Sequence, residues 1–327
     1  MKETPRQQSL DAKIAESKRP FHGEKIIREF GSLHKERART ILTDLKGLEK
    51  WGVRFSPFLE IGAGSVQRST ALINDYGVEG VATDISIRSL QDTPYVLSLL
   101  GYGRKPTLIC CDAHYLPFLA DTFRFVFAYQ TLHHFANPVP VVAECYRVLG
   151  RGGHFYFNEE PMDSQFRRFL RGNRVLAHPP TRLQRIGYRL GVEKLFWDDG
   201  KWERSLGMTE ARFDIDLWRE SLHPFLIIDV EVNRRLKFHS DLHQPRLVSL
   251  LSGYIGGNVK GVCRKIEGDD AGEDHLQRLM CLDCGSRIIF QEYDQDIVCA
   301  NCGRLYTKTA GILRMFPKEL DDQLFSG

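Results

Sequence analysis

Phe58-Leu59-Glu60-Ile61-Gly62-Ala63-Gly64 decides the reading of this chain. Three apolar residues and one acid make a short strand. Two glycines among the next three positions turn the chain sharply and open its backbone to a ligand. Beyond the turn, helices and strands keep alternating. Residues 66–76 carry a helical pattern, Gly77 and Gly80 mark a turn, and Val81-Ala82-Thr83 is a second strand ending at Asp84. Residues 86–100 read as a helix, Thr107-Leu108-Ile109-Cys110 as a third strand ending near Asp112, and Phe125-Val126-Phe127-Ala128 as a fourth. Residues 138–149 form a helix stopped by Gly150; after Gly152-Gly153 comes a fifth strand, His154-Phe155-Tyr156-Phe157. Short apolar strands alternating with helices predict an α/β fold, a doubly wound, Rossmann-like, mostly parallel sheet with helices on both faces.

Outward from this core the pattern weakens. Residues 1–20 are polar and are expected to fray, whereas 22–50 place Ile26, Ile27, Phe30, Leu33, Ile41, Leu42, Leu45 and Leu48 at helical spacing, with a break near Gly31-Ser32. Residues 161–250 are irregular, and 261–265 read as a late edge strand. The expected organisation is a helical segment at 1–50, the α/β domain at 51–266, an acidic linker at 267–275 and a small cysteine-bearing module at 276–327.

Composition excludes several classes. With 28 glycines and 14 prolines in 327 residues the chain is neither collagenous nor of low complexity. It has no run of 18 apolar residues, so no membrane-spanning helix is expected, and the first 25 residues lack the apolar stretch of a secretory signal. A reducing cytoplasm is the expected location. The net charge of +3 is too small to demand nucleic acid.

Open doubly wound sheets bind ligands outside the carboxyl ends of their strands. Gly62 and Gly64 fall there, as do Asp112 and Asp84; Asp84 lies 22 residues past Gly62, where a carboxylate can accept from both hydroxyls of a ribose. A dinucleotide site wants a third small residue, but this loop has Gln67 at that position. Glu60, just before the loop, suits a cation better than a pyrophosphate. S-adenosylmethionine, a sulfonium that also carries an ammonium group, meets that requirement.

Residues 58–160 resemble the core of class I S-adenosylmethionine-dependent methyltransferases. The matching pieces are Leu59 to Gly64, Asp84, Cys111-Asp112-Ala113 with Leu116-Pro117-Phe118, Phe125 to Gln130 running into Leu132-His133-His134-Phe135, and Glu144 to Leu149 before Gly152-Gly153. The resemblance implies that Gly62, Ala63 and Gly64 hold the methionine moiety, with Glu60 near its amino end. It implies further that Asp84-Ile85 takes the ribose, that Asp112-Ala113 meets adenine and that Gln130 lines the pocket. Arg151 stands where the family usually has proline, which alters a turn rather than the chemistry.

Methyl transfer is an in-line displacement that mainly needs alignment, and a hydroxyl acceptor also benefits from a general base. His133 and His134 follow the fourth strand, while Glu159 and Glu160 follow the fifth on the same edge. A histidine oriented by a carboxylate is one reading, and by the family's motif His134 is the matching position; a structural histidine and a solvated acid pair are the alternatives. The family inserts its substrate cover after the fifth strand, here at 161–250. Residues 166–194 hold seven Arg, one Lys and a single acid, Glu193. They suit an anionic substrate or RNA, or else form a solvated helix face.

Cys281-x₂-Cys284-x₁₄-Cys299-x₂-Cys302 has zinc-ribbon spacing, and four thiolates close a structural Zn²⁺ site, iron being the alternative. Residues 279–316 resemble the zinc-ribbon family that activates translation-related methyltransferases, through Leu279-Met280-Cys281, Cys302 to Tyr306 and Gly311 to Met315. That implies a fused helper docked on the sheet edge or covering an apolar patch; a ribbon that binds nucleic acid or substrate is the alternative. Three functions compete: O-methylation of a small molecule, saccharide or anionic metabolite; methylation of RNA or a translation protein; and a scaffold without chemistry. The first is preferred, because Tyr129-Gln130-Thr131-Leu132 stands where amino-group methylases carry Asn/Asp-Pro-Pro-aromatic, and because Asp84 and the glycine loop are intact.

Overall fold

The computed structural model describes residues 5–18, 22–162, 211, 213, 215–232, 257–272, 274–289 and 296–325. In chain order the first helices are α1 (Pro5–Ser17), α2 (Gly23–Glu29) and α3 (Gly31–Glu49). The α/β alternation then runs β1 (Phe58–Ile61), α4 (Gln67–Tyr76), β2 (Gly80–Asp84), α5 (Ile87–Leu90), α6 (Thr93–Leu100), β3 (Thr107–Cys110), β4 (Phe123–Tyr129), α7 (Val139–Val148) and β5 (Leu149–Met162). After it come α8 (Ile215–Leu222), β6 (Leu226–Val232) and β7 (Gly257–Arg264). The C-terminal part adds β8 (Leu279–Met280), β9 (Arg287–Ile288), β10 (Ile297–Val298), β11 (Leu305–Tyr306), β12 (Lys308–Thr309), β13 (Ile312–Arg314) and α9 (Lys318–Phe325).

Among these residues nine strands form one sheet in the order β12-β13-β3-β2-β1-β4-β5-β7-β6. Strands β1 to β5 pair in parallel, and β6, β7 and β12 run antiparallel to their neighbours. All four residues of β1 and all five of β2 are buried, as strands covered on both faces must be. The strand order reverses between β1 and β4, and the crevice above that reversal is where such sheets take ligands.

Three features depart from the sequence reading. Residues 5–17, expected to fray, are helical, and Ile14, like Leu320 and Phe325 of α9, packs against a buried cluster that contains Val66 and Leu324. The helix expected over 86–100 is two helices; Ser86 caps α5 by accepting from Ser89 N at 3.3 Å, and buried Asp92 accepts from Gly23 N at 2.9 Å. The expected edge strand at 261–265 is interior, because β6 pairs along its outer side. At the other end β13 runs parallel to β3, with Ile312 opposite Leu108 and Arg314 opposite Cys110. Met315 N continues the ladder to Cys110 O at 2.8 Å. The segment after the acidic stretch therefore extends the main sheet. No described helix is long and apolar enough to cross a membrane.

Candidate active site

A cavity of about 330 Å³ opens over the carboxyl ends of β1, β2, β3 and β4. Its floor comes from the strand ends and its roof from α1. Among the residues singled out in the sequence, Gly62, Asp84, Ile85, Asp112, Ala113, Gln130 and His134 line it. Lys13, Glu16, His114 and Thr131 join them.

Gly62 sits at φ +62°, where L side chains are strained, and a Cβ there would overlap the side chain of Thr131. Gly64 N donates to Asp84 Oδ2 at 2.8 Å, and Ser86 N donates to Oδ1 at 2.8 Å. Asp84 is thus fixed by one bond to each oxygen, and a carboxylate has lone pairs left for two hydroxyls. Ala63, buried beside it, keeps the turn close to β2 through its N–H to Thr83 O at 2.9 Å. Neither Ala63 nor Gly64 is part of the cavity wall.

Asp112 is 1% exposed and receives His114 N at 3.0 Å, His114 Nδ1 at 2.7 Å and Lys13 Nζ at 2.6 Å. Burial alone would raise its pKa; the bonds and charge of His114, with the Lys13 ammonium, outweigh it and hold the carboxyl down at about 2. Gln130, at φ +52°, lines the wall and accepts from Arg37 of α3 at 3.2 Å.

The acids singled out in the sequence, Glu60 near the amino end of the cofactor and Glu159 and Glu160 at the reacting end, divide sharply. Glu60 lies behind the glycine loop, 1% exposed, and accepts from both the N–H and the hydroxyl of Ser69. Burial pushes it up to about 7, with Arg68 and Ser69 pulling the other way. Glu160, also buried, accepts from the N–H groups of Thr131, Leu132 and His133 at 2.8, 3.0 and 3.1 Å and lies 2.9 Å from His133 Nδ1. It braces the turn after β4. Glu159 sits at φ +63°, 3.5 Å from buried Arg68. His134, not His133, lines the cavity, and its Nδ1 lies 3.3 Å from Glu16 Oε1.

Lys13 and Glu16 escaped the sequence reading because their helix was expected to fray. The signal was the helix-forming run Ala12-Lys13-Ile14-Ala15-Glu16, with Lys13 and Glu16 one turn apart. The arginine-rich stretch 166–194 and most of the expected cover at 161–250 lie outside the described residues.

The four ribbon sulfurs all lie within 4.8 Å of one another, with Cys281–Cys302 and Cys284–Cys299 each at 3.6 Å. A tetrahedron with metal–sulfur bonds of about 2.3 Å has edges of about 3.8 Å, so the donor set fits one tetrahedral ion with no open position. Each pair closes a tight loop: Gly285 N donates to Cys281 O and Gly303 N to Cys299 O, both at 2.9 Å. The glycines, at φ +73° and +74°, thus serve the turn itself.

Residues 59–157 match the family described as "Methyltransferase domain". The chain is an S-adenosylmethionine-dependent methyltransferase. No curated protein matches it. Among solved structures, one from Haloferax volcanii, described as a complex between the Trm112 methyltransferase activator and a methyltransferase, is similar at 15% identity and TM-score 0.44; the match covers 79% of this chain and 98% of that one. A Galdieria sulphuraria protein described as a sarcosine dimethylglycine methyltransferase matches at 15% identity and TM-score 0.46, covering 70% and 86%. A Bacillus halodurans C-125 protein described as a methyltransferase matches at 17% identity and TM-score 0.44, covering 69% and 100%. Likeness at this level says nothing of the methyltransferase's acceptor.

Proposed function

We propose that this methyltransferase transfers a methyl group to a hydroxyl of a small molecule, saccharide or anionic metabolite. The observation that carries the reading is an imidazole, His134, in the wall of the cavity beside a carboxylate. The cofactor supplies an electrophilic methyl on a positively charged sulfur. A hydroxyl becomes an adequate nucleophile toward it when a neighbouring base takes its proton, and an imidazole is the side chain suited to that at neutral pH.

The chain's own residues would divide the remaining work. Asp84, held from both sides, accepts from the ribose hydroxyls, with Ile85 beside it. The Gly62-Ala63-Gly64 turn gives close backbone approach for the methionine moiety, with Gly62, at φ +62°, in the cavity wall. Asp112 and Ala113 flank the adenine end, and Gln130 lines the wall toward β4. Glu60 contributes from behind by fixing Ser69 rather than by meeting the ligand. Zn²⁺ in the four-thiolate cluster would be structural, joining the two loops that precede β13.

A second reading, methylation of RNA or a translation protein with the ribbon as a fused activator, is favoured by one observation: the ribbon segment's own strand completes the sheet. Calorimetry with S-adenosylmethionine on the full chain, followed by tritium transfer from labelled cofactor to panels of hydroxylated metabolites, ribosomal RNA and ribosomal protein, separates the two. Label on a metabolite that is lost in His134→Ala, with cofactor binding kept, is the expected result. Label only on RNA or protein would replace the first reading with the second.

A further inference from the structure

In the sequence a histidine at 133 or 134 oriented by an acid at 159 or 160 is one reading, with His134 the matching position. The structure gives His133 and Glu160 another task. Glu160 is completely buried and already bonded to three backbone N–H groups and His133, so it holds the turn. His134 faces the other way, into the cavity, and meets a carboxylate from a different part of the chain. We propose that Glu16 is the positioning residue for His134: its carboxylate holds the Nδ1 side of the ring, which presents Nε2 for proton transfer. This rests on the reading of His134 as the base.

Three independent observations support it. Glu16 and His134 both line the same cavity, with Glu16 Oε1 3.3 Å from Nδ1. Their side chains are only 12% and 17% exposed, so the attraction between carboxylate and imidazolium is weakly screened. And α1 is fixed at two further points, by Lys13 Nζ at 2.6 Å from Asp112 Oδ2 and by Ile14 packed against the buried cluster that contains Val66 and Leu324. A carboxylate on a helix so anchored can set a ring's orientation.

In the step this serves, the proton of the acceptor hydroxyl passes to His134 Nε2. The acceptor oxygen takes the methyl group as the carbon–sulfur bond breaks, its electron pair remaining on sulfur. His134 becomes an imidazolium, whose charge Glu16 offsets at Nδ1. Among the described residues, the other charged or titratable groups of this cavity and behind the ring are Lys13 on the same helix, His133 with Glu160 behind it, and Asp84 and Asp112 with His114 in the cavity wall.

The test is an NMR titration of the full chain labelled with ¹³C in the histidine rings, the His134 signal being the one missing in His134→Ala. Glu16→Gln is expected to lower the His134 midpoint by about 1 pH unit, the scale of one lost opposite charge at this distance. Glu16→Asp, which keeps the charge, is expected to hold the midpoint near that of the wild type. An unmoved midpoint in Glu16→Gln overturns the proposal, and so does an equal fall in both variants, which would mean that α1 has come loose. Calorimetry with S-adenosylmethionine on the same samples separates failures. A wild-type protein that does not bind it sinks the reading of the cavity, whereas intact binding with an unmoved midpoint sinks only the role of Glu16.

Discussion

The floor and the roof of the cavity are built by different physics. The floor is the ends of four buried parallel strands, where Gly62, Asp84, Asp112 and Gln130 sit at positions dictated by the sheet. The roof is α1, a helix with no place in the sheet, held by an ion pair to Asp112 and by Ile14 against a buried cluster shared with the last helix. A strand end is positioned by hydrogen bonds on both sides. A lone helix of 13 residues is marginal in water and exists through its packing. The difference teaches that the two sides of one cavity are positioned separately, the floor by strand pairing and the roof by side-chain contacts alone.

The sharpest way to break that comparison is at the floor. Asp84→Ala removes both the proposed ribose acceptor and the carboxylate that receives Gly64 N and Ser86 N. Each such charge-assisted bond contributes about 1.5–3 kcal/mol, so S-adenosylmethionine affinity should fall at least about 100-fold by calorimetry. Affinity kept within about threefold would remove Asp84 from the site. A floor variant should thus lose binding, whereas the roof variant Glu16→Gln should lose proton control first.

The edge of the floor offers the next test. β3 carries Asp112 just past its end, and its outer side is covered by β13 from the ribbon segment. Tyr306 ties β11 to the cluster, its hydroxyl 3.3 Å from Cys281 Sγ and accepting from Leu282 N at 2.8 Å. Arg304 and Arg314 both pair with Asp321 of α9. Cys281→Ser should therefore reduce bound zinc below one per chain and loosen β13. A loss of about 2 kcal/mol would lower Tm by roughly 4–8 °C. A protein that melts normally with no metal by elemental analysis would detach the cluster from the stability of the sheet.

Legibility in the sequence divides along the same line. Strands β1 to β5 could be read because a buried parallel strand must be apolar and must end in a turn, and Phe58–Ile61 followed by Gly62 shows both. The four cysteines could be read because their spacing is itself the geometry of a tetrahedron. The role of Glu60 could not be read. Its place beside the glycine loop is the same whether its side chain turns to the ligand or to Ser69, and only packing decides that. Nor could the partner of His134: Glu16 lies 118 residues away on a polar helix that contacts α9, some 300 residues further on. The pairing of β13 with β3 joins residues 204 apart, from Leu108 to Ile312, and two short apolar runs do not announce their partner.

Glu60 supplies the effect whose sign is least obvious. Its folded pKa, about 7, lies above the ordinary carboxyl value of 4.5, with burial as the largest cause. The folded protein therefore holds a proton that the unfolded chain releases. The stability linked to this proton is complete below about pH 4.5 and is lost as pH rises through 7, opposite to the usual behaviour of paired carboxylates. Glu60→Gln keeps an oxygen to accept from Ser69 and removes the ionisation. Wild type should lose stability against Glu60→Gln between pH 5 and pH 8 by about 1–3 kcal/mol, and the two melting curves should converge at low pH. A difference that stays constant with pH would place an ionised carboxylate behind the loop throughout, and the cationic neighbour Arg68 would then outweigh desolvation.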